Sequence, residues 1–193
     1  MKITVLGCGS SLGVPALKYG WGNCNASNPK NRRTRSSIIV EECGVSLLID
    51  SSPDIREQLF LYGKQKIDAL LYTHAHFDHV NGIDDLKPLF EAQSLDVFAT
   101  SETLSVMRQA FPYIFRDLVN PDSWESRYAF VSAHEIKYGL FEIKGINGVC
   151  FPQNHGKIQS LGFRIKNFAY STDVKELGSD MIENLQNLDV WIV

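Results

Sequence analysis

The segment 73–82 constrains this chain most, because it places four potential metal ligands within six residues. These ligands are His74, His76, Asp78 and His79. They directly follow an apolar run, 67–72, whose composition predicts a short buried strand. The alternative is a polar strand-to-loop junction with scattered histidines. The histidine count argues against it, because three of the five histidines of the chain lie here.

The spacing of these side chains predicts how they could share a cation. Side chains two residues apart on an extended chain point to the same side, so His74 and His76 can bind one cation from the end of the strand. Asp78 and His79 come where the chain must turn, and they can face a second position close by. Imidazole suits zinc, iron and manganese, whereas a carboxylate suits harder ions or bridges two metals.

The sequence His74-x-His76-x-Asp78-His79 at the end of an apolar strand resembles the signature of the metallo-β-lactamase fold hydrolases. The resemblance implies an α/β fold, the four-layer αββα sandwich. It also implies further metal ligands: His155, which directly follows a strand, matches the third histidine motif, and Asp173 matches the bridging carboxylate. Asp50, at the end of an apolar strand, matches the first motif, which implies that it supports the metal-bearing loop from behind.

Length, charge and cysteine content place the chain among ordinary globular proteins. A chain of 193 residues suits one domain with a sizeable core, and we expect residues 1–193 to form a single metallo-β-lactamase-like domain. A net charge of −3 gives no general attraction to nucleic acid or anionic membranes, so we expect neither as a partner. The four cysteines form no C-x-x-C pair and accompany no secretion signal, which predicts reduced thiols and a cytoplasmic location.

Hydrophobic periodicity predicts alternating strands and helices around the metal motif. The predicted strands are 2–6, 37–41, 45–50, 67–72, 95–99, 128–131, 140–146, 149–151, 161–165, 168–170 and 188–193. The predicted helices are 54–62, 80–93, 101–111 and 179–186. Gly82 and Pro88 interrupt the second of them, and Ser101 is the predicted N-cap of the third. We expect His134 to lie in a loop, without a metal partner.

The loop 7–15 after the first strand is rich in glycine and serine, and it resembles the opening of phosphodiesterase-type and tRNA 3′-processing members of the family. Ser10 and Ser11 are candidate substrate-binding residues, because the backbone N–H groups of such a loop can receive an anion. A tight structural turn is an equally good interpretation. Arg35, in the basic cluster 31–37, is a candidate phosphate ligand, although a solvated charge run is the alternative.

The resemblance implies a metal-dependent hydrolase that attacks a small phosphodiester with metal-bound hydroxide, with zinc or manganese as cofactor. Asp78 would orient the nucleophile or accept its proton. The alternatives within the fold are a tRNA 3′-processing ribonuclease and a thioester or lactone hydrolase. A different class also stays open, a non-catalytic metal-binding remnant with an incomplete site.

The family pattern implies one more histidine after the last strand, followed by a helix and often a final strand, and the sequence ends at Val193 without them. We therefore expect a chain that is incomplete at its C-terminus, with one tight metal site and a second, weaker one. Activity is expected to be weak for the same reason. The last strand would be exposed at a sheet edge, so a homodimer is a further expectation.

Overall fold

The computed structural model describes residues 1–63, 66–90 and 93–193. Its first sheet has six strands in sequence order. They are β1 (Lys2–Gly7), β2 (Ser37–Glu42), β3 (Val45–Ile49), β4 (Ala69–Leu71), β5 (Leu95–Ala99) and β6 (Val131–Glu135). The first three strands pair antiparallel, and β3 to β6 pair parallel. The carboxyl ends of the parallel strands therefore meet at one edge of the sheet, where the histidine motif begins.

The second sheet is built from the C-terminal third of the chain, in the order β11-β10-β9-β8-β7. Its strands are β7 (Gly139–Ile143), β8 (Ile146–His155), β9 (Ile158–Ile165), β10 (Phe168–Tyr170) and β11 (Val190–Ile192). Only β10 and β11 pair parallel within it. The long β8–β9 hairpin carries His155 at its tip.

Helical segments cover the outer faces of the two sheets. The α-helices are α1 (Ile55–Tyr62), α2 (Phe77–Val80), α3 (Ser101–Ala110) and α4 (Ser179–Asn184). Short 3-10 helices span Pro29–Asn31, Ile83–Leu89, Pro112–Ile114 and Trp124–Arg127. In the described part of the chain, none of the helices has both the length and the apolar character that crossing a bilayer requires.

Alternation along the central strands of the first sheet produces two separate cores. On β3, Leu48 faces the helices, whereas Leu47 and Ile49 face the second sheet. The same division repeats on β2 and β4, so these strands are apolar on both faces. With α4 packed on β8 from the far side, the layers are helix, sheet, sheet, helix. The predicted four-layer αββα sandwich is confirmed.

Several local predictions differ from the structure. The strand predicted over 128–131 begins only at Val131, and the strand predicted over 140–146 runs through the turn at 144–145 between β7 and β8. The helix predicted over 80–93 is a 3-10 helix over Ile83–Leu89, because Pro88 has no N–H for a continuous α-helix, and positions 91–92 of the prediction lie outside the described residues. Thr100, not Ser101, caps α3, since its hydroxyl accepts a hydrogen bond from the Thr103 N–H. His134 lies in β6 rather than in a loop, and its ring contacts Asp96.

Candidate metal centre

The two sheets together form one cluster of histidines and aspartates at the edge of the sandwich. The turn between β4 and α2 carries His74 and His76, and α2 itself carries Asp78 and His79. The end of β8 contributes His155, and the segment after β10 contributes Asp173. A backbone hydrogen bond from Leu161 N to Thr73 O, 2.9 Å long, joins the sheets beside the cluster.

The first ligand group combines three imidazoles with one carboxylate: His74, His76, His155 and Asp173. One ligand atom from each residue lies within 4.8 Å of all the others. His155 Nε2 is 3.2 Å from His76 Nδ1 and 3.2 Å from Asp173 Oδ2, and His74 Nε2 is 3.5 Å from the same Asp173 oxygen. This donor set and spacing suit a cation of the zinc type.

The second ligand group consists of Asp78, His79 and again Asp173. His79 Nε2 lies 3.5 Å from Asp78 Oδ2 and 3.5 Å from Asp173 Oδ2. Because Asp173 belongs to both groups, its carboxylate stands between two adjacent cation positions. The second group has one imidazole against three in the first.

The buried carboxylate of Asp50 orients a histidine of each group. Its Oδ2 accepts a hydrogen bond from His79 Nδ1 at 2.7 Å, which directs His79 Nε2 toward the second group. The same oxygen accepts the Thr73 hydroxyl at 2.8 Å, and that hydroxyl contacts His74 Nδ1 at 3.0 Å. Since the Thr73 proton is used on Asp50, the hydroxyl accepts from His74 Nδ1 and leaves Nε2 free for a cation.

Two backbone features hold the carboxylates in place. Asp50 and Asp173 both have positive φ angles, 60° and 54°, a conformation that aspartate adopts more readily than most residues. The turn at Asp173 is held from behind by the β8–β9 hairpin, where Gln153 Nε2 donates to Thr172 O at 3.1 Å. Ser160 Oγ donates to Asp173 O at 3.2 Å.

The electrostatic environment shifts the pKa values of the two most buried histidines of the cluster, His74 and His79, in opposite directions. Burial, together with the neighbouring charge of His79, lowers the pKa of His74 to about 3. Burial acts against the charged form of His79, but the charge of Asp50 and hydrogen bonds to Asp173 and Asp78 raise the pKa of His79 to about 12. The hydrogen bond from His79 lowers the pKa of Asp173 to about 2. A cation that binds at the second group therefore displaces a proton from His79.

The residues present fit a bound divalent metal. His74 Nε2 is a buried nitrogen without a hydrogen-bond partner among the described residues. Such a group costs free energy unless something occupies its lone pair, and buried polar atoms without partners are uncommon. With three imidazoles and a carboxylate converging at this point, a cation is the partner that the donor set selects.

A family model described as a beta-lactamase superfamily domain matches residues 46–193. The chain belongs to this superfamily. The matched range contains every member of both ligand groups and also Asp50.

Two curated proteins that are similar to this chain are much longer than it. An octanoyltransferase of Porphyromonas gingivalis is 33% identical over 189 residues, which cover 97% of this chain and 37% of that protein. A ribonuclease Z of Bradyrhizobium diazoefficiens is 30% identical over 145 residues, which cover 72% of this chain and 46% of that protein. The chain thus spans less than half of either relative.

Solved structures of the superfamily share the fold. A diphosphatase from the PhnP family superposes with a TM-score of 0.83 at 33% identity, covering 98% of this chain and 72% of that chain. Zinc-bound PqqB from Methylobacterium extorquens gives a TM-score of 0.72 at 24% identity, covering 99% of this chain and 69% of that chain.

No described hydrogen bond or ion pair joins the candidate substrate-binding residues Ser10, Ser11 and Arg35 to the ligand groups. Ser10 and Ser11 are exposed. The Arg35 guanidinium donates to Asp54 Oδ1 at 2.9 Å and to the Ser11 carbonyl at 3.0 Å, which ties the loop to the start of α1. This ion pair gives Arg35 a structural contact, and its role in substrate binding stays a prediction.

Sequence reasoning did not identify Thr73, Gln153, Ser160 or the packing role of Gly82. A Cβ on Gly82 would lie 2.0 Å from the Ser52 carbonyl oxygen, so only glycine allows the turn after the motif to pack there. The position of Gly82 at the end of the segment 73–82 was an available signal. Gln153 and Ser160 carry no comparable signal, because their partners are backbone carbonyls that a sequence does not display.

Proposed function

We propose that the chain is a divalent-metal-dependent hydrolase that cleaves a small phosphodiester. The observation that carries the proposal is the pair of ligand groups that share Asp173 at the edge of the sandwich. Adjacent cation positions with a shared carboxylate suit displacement at phosphorus, where both the attacking and the leaving oxygen need stabilisation.

In this proposal, His74, His76, His155 and Asp173 hold one cation, and Asp78, His79 and Asp173 hold a second. Zinc and manganese are the candidates, because the first set is rich in imidazole and the second in carboxylate. A bound cation would act as a Lewis acid and would lower the pKa of water in contact with it.

The protein groups around the cations would supply positioning and a proton acceptor. Asp50 and Thr73 fix the ring orientations of His79 and His74 through the hydrogen bonds described above. Asp78 is buried, and although burial acts against its charged form, the hydrogen bond from His79 lowers its pKa. It is therefore a carboxylate at neutral pH that can orient the attacking water or accept a proton from it.

The relatives support chemistry at phosphorus. Diphosphatase and ribonuclease both denote cleavage of bonds to phosphorus, and both relatives are at least 30% identical to this chain. Octanoyl transfer is not proposed, because the match covers only 37% of the octanoyltransferase, whereas 72% of the diphosphatase chain is covered.

Hydrolysis of bis(4-nitrophenyl) phosphate with added zinc or manganese tests the proposal. We expect native protein to release nitrophenolate and His76→Ala to lose more than about 100-fold of the rate, because it removes a direct cation ligand. His134→Ala is the matched control, since His134 contacts Asp96 on the first sheet and belongs to neither ligand group. Equal rates for native protein and His76→Ala would refute the proposal and leave the non-catalytic metal-binding interpretation.

Ribonuclease activity is the second candidate, favoured by the similarity to ribonuclease Z. The net charge of −3 argues against it, because binding to RNA depends on phosphate neutralisation by basic residues. Cleavage of a precursor tRNA at rates above those for bis(4-nitrophenyl) phosphate would favour the ribonuclease over the small-substrate enzyme.

A further inference from the structure

A cavity of about 330 Å³ adjoins the candidate metal centre. The two share a wall, because Thr73, His74 and Ala75 line the cavity while His74 also belongs to the first ligand group. The rest of the lining includes residues at the start of α3 and residues 158–161 of β9. A substrate held at the cations could therefore place one of its groups in this cavity.

The cavity offers an apolar rim to such a group. Val106 on α3 is 50% exposed, Tyr138 is 51% exposed, and Ile158 on β9 is 39% exposed, and all three line the cavity. The Tyr138 hydroxyl already donates to Gln159 Oε1 at 2.7 Å. An incoming apolar or aromatic group would remove this exposed surface from water, which is favourable in proportion to the area buried.

The cavity carries one negative charge and no described lysine or arginine in its lining. The charge is Glu102, whose carboxylate interacts with its own backbone N–H and with the Thr100 hydroxyl, and these contacts lower its pKa. The Thr103 N–H is bonded to Thr100, so these donors of the first turn of α3 are already used within the helix start. The same helix end that could attract an anion therefore presents a carboxylate instead.

We infer that this cavity binds the uncharged, partly apolar ester group of the substrate and that Glu102 disfavours a second anionic group. The inference rests on the proposed function, and it narrows the substrate class to diesters with one neutral, preferably aromatic, group. Substrates with a further phosphate or carboxylate beyond the reacting centre would be disfavoured.

Binding of three phosphonates to the zinc-loaded protein, measured by calorimetry, tests the inference without turnover. Methylphosphonate probes the cation centre alone, phenylphosphonate adds a neutral ring, and 4-carboxyphenylphosphonate adds a charge to the ring. We expect the phenyl compound to bind about tenfold tighter than the methyl compound through ring burial. We expect the added carboxylate to weaken binding about threefold or more, through repulsion across partly screened solvent.

Substitution of Glu102 tests whether its carboxylate causes the difference in affinity between the phenyl and carboxyphenyl compounds. Glu102→Gln is expected to remove most of the difference between the phenyl and carboxyphenyl compounds, and Glu102→Lys to reverse it. The matched control is Glu142→Gln, which makes the same change of charge at an exposed position on β7 outside the cavity, and it should retain the native difference.

The binding results test the cavity assignment separately from the hydrolase proposal. Equal affinities for methyl- and phenylphosphonate, binding of none of the probes, or a carboxylate penalty that persists in Glu102→Gln would overturn the inference. If the expected order is found while bis(4-nitrophenyl) phosphate is not hydrolysed, the cavity assignment stands and the hydrolase proposal fails.

Discussion

A single buried carboxylate, Asp50, determines the direction of two imidazoles that belong to different ligand groups. It accepts hydrogen bonds from the Thr73 N–H, the Thr73 hydroxyl and His79 Nδ1. Each donor uses one of the lone pairs of a charged, acceptor-only group, so the neutral amide of asparagine cannot reproduce the pattern. The chemical identity of residue 50 is therefore as important to the centre as the ligands themselves.

Asp50→Asn is expected to weaken zinc binding about 10- to 100-fold, as changes behind a metal ligand commonly do. The asparagine NH₂ would donate to His79 Nδ1, which would move the imidazole proton to Nε2 and block ligation there. A chromophoric chelator in competition for zinc measures the affinity, and circular dichroism checks that the variant folds. Asp54→Asn, which affects the ion pair with Arg35, is the control, and native-like affinity of Asp50→Asn would contradict the argument.

At the level of single residues, the sequence allowed prediction of the metal-ligand candidates whose spacing along the chain is distinctive. His74, His76, Asp78 and His79 lie within six residues, and His155 and Asp173 could be added through a family resemblance. Thr73 and Gln153 could not be predicted, because the partners that give them their roles, Asp50 and Thr172 O, are distant in sequence and only the fold brings them near. The roles of all these residues in binding metal remain proposals.

Among the secondary-structure elements, the short helix α2 and the turn that follows it depend on close packing rather than on propensity. Gly82 packs against the segment after β3, and its N–H donates to Ser51 O at 2.9 Å. Nothing in the local hydrophobic pattern required this contact, which is why the sequence predicted a longer helix there. The central strands β2 to β4, by contrast, were predicted well, because their continuous apolar runs reflect burial on two faces.

Gly82→Ala is expected to cost about 2–4 kcal/mol of unfolding free energy, since its Cβ would collide with the Ser52 backbone, which cannot move aside like a flexible side chain. Gly178→Ala is the matched control. Gly178 also precedes a helical segment and has a negative φ, but a Cβ there meets nothing within 4 Å, so its cost should stay below about 1 kcal/mol. Equal losses for the two variants in urea unfolding would refute the packing role of Gly82.

At the scale of the whole molecule, the two ligand groups differ in composition. The first has three imidazoles and the shared carboxylate, and the second has one imidazole and two carboxylates, of which one is shared. We expect this chain, loaded with excess zinc and then dialysed, to retain about one ion per molecule, because imidazole-rich sites hold zinc more firmly. Elemental analysis after dialysis measures the ratio, and two retained ions per chain would contradict the expectation.

The hydrogen bond between Leu161 N and Thr73 O has a consequence for assembly. It joins the β8–β9 hairpin to the end of β4 at the point where the ligands meet. Because each ligand group takes residues from both sheets, neither sheet alone can complete a cation position. During refolding, tight zinc uptake can therefore begin only after the two halves of the sandwich have docked. The time course of zinc binding would therefore measure the rate of that docking step, separately from the earlier formation of the individual strands.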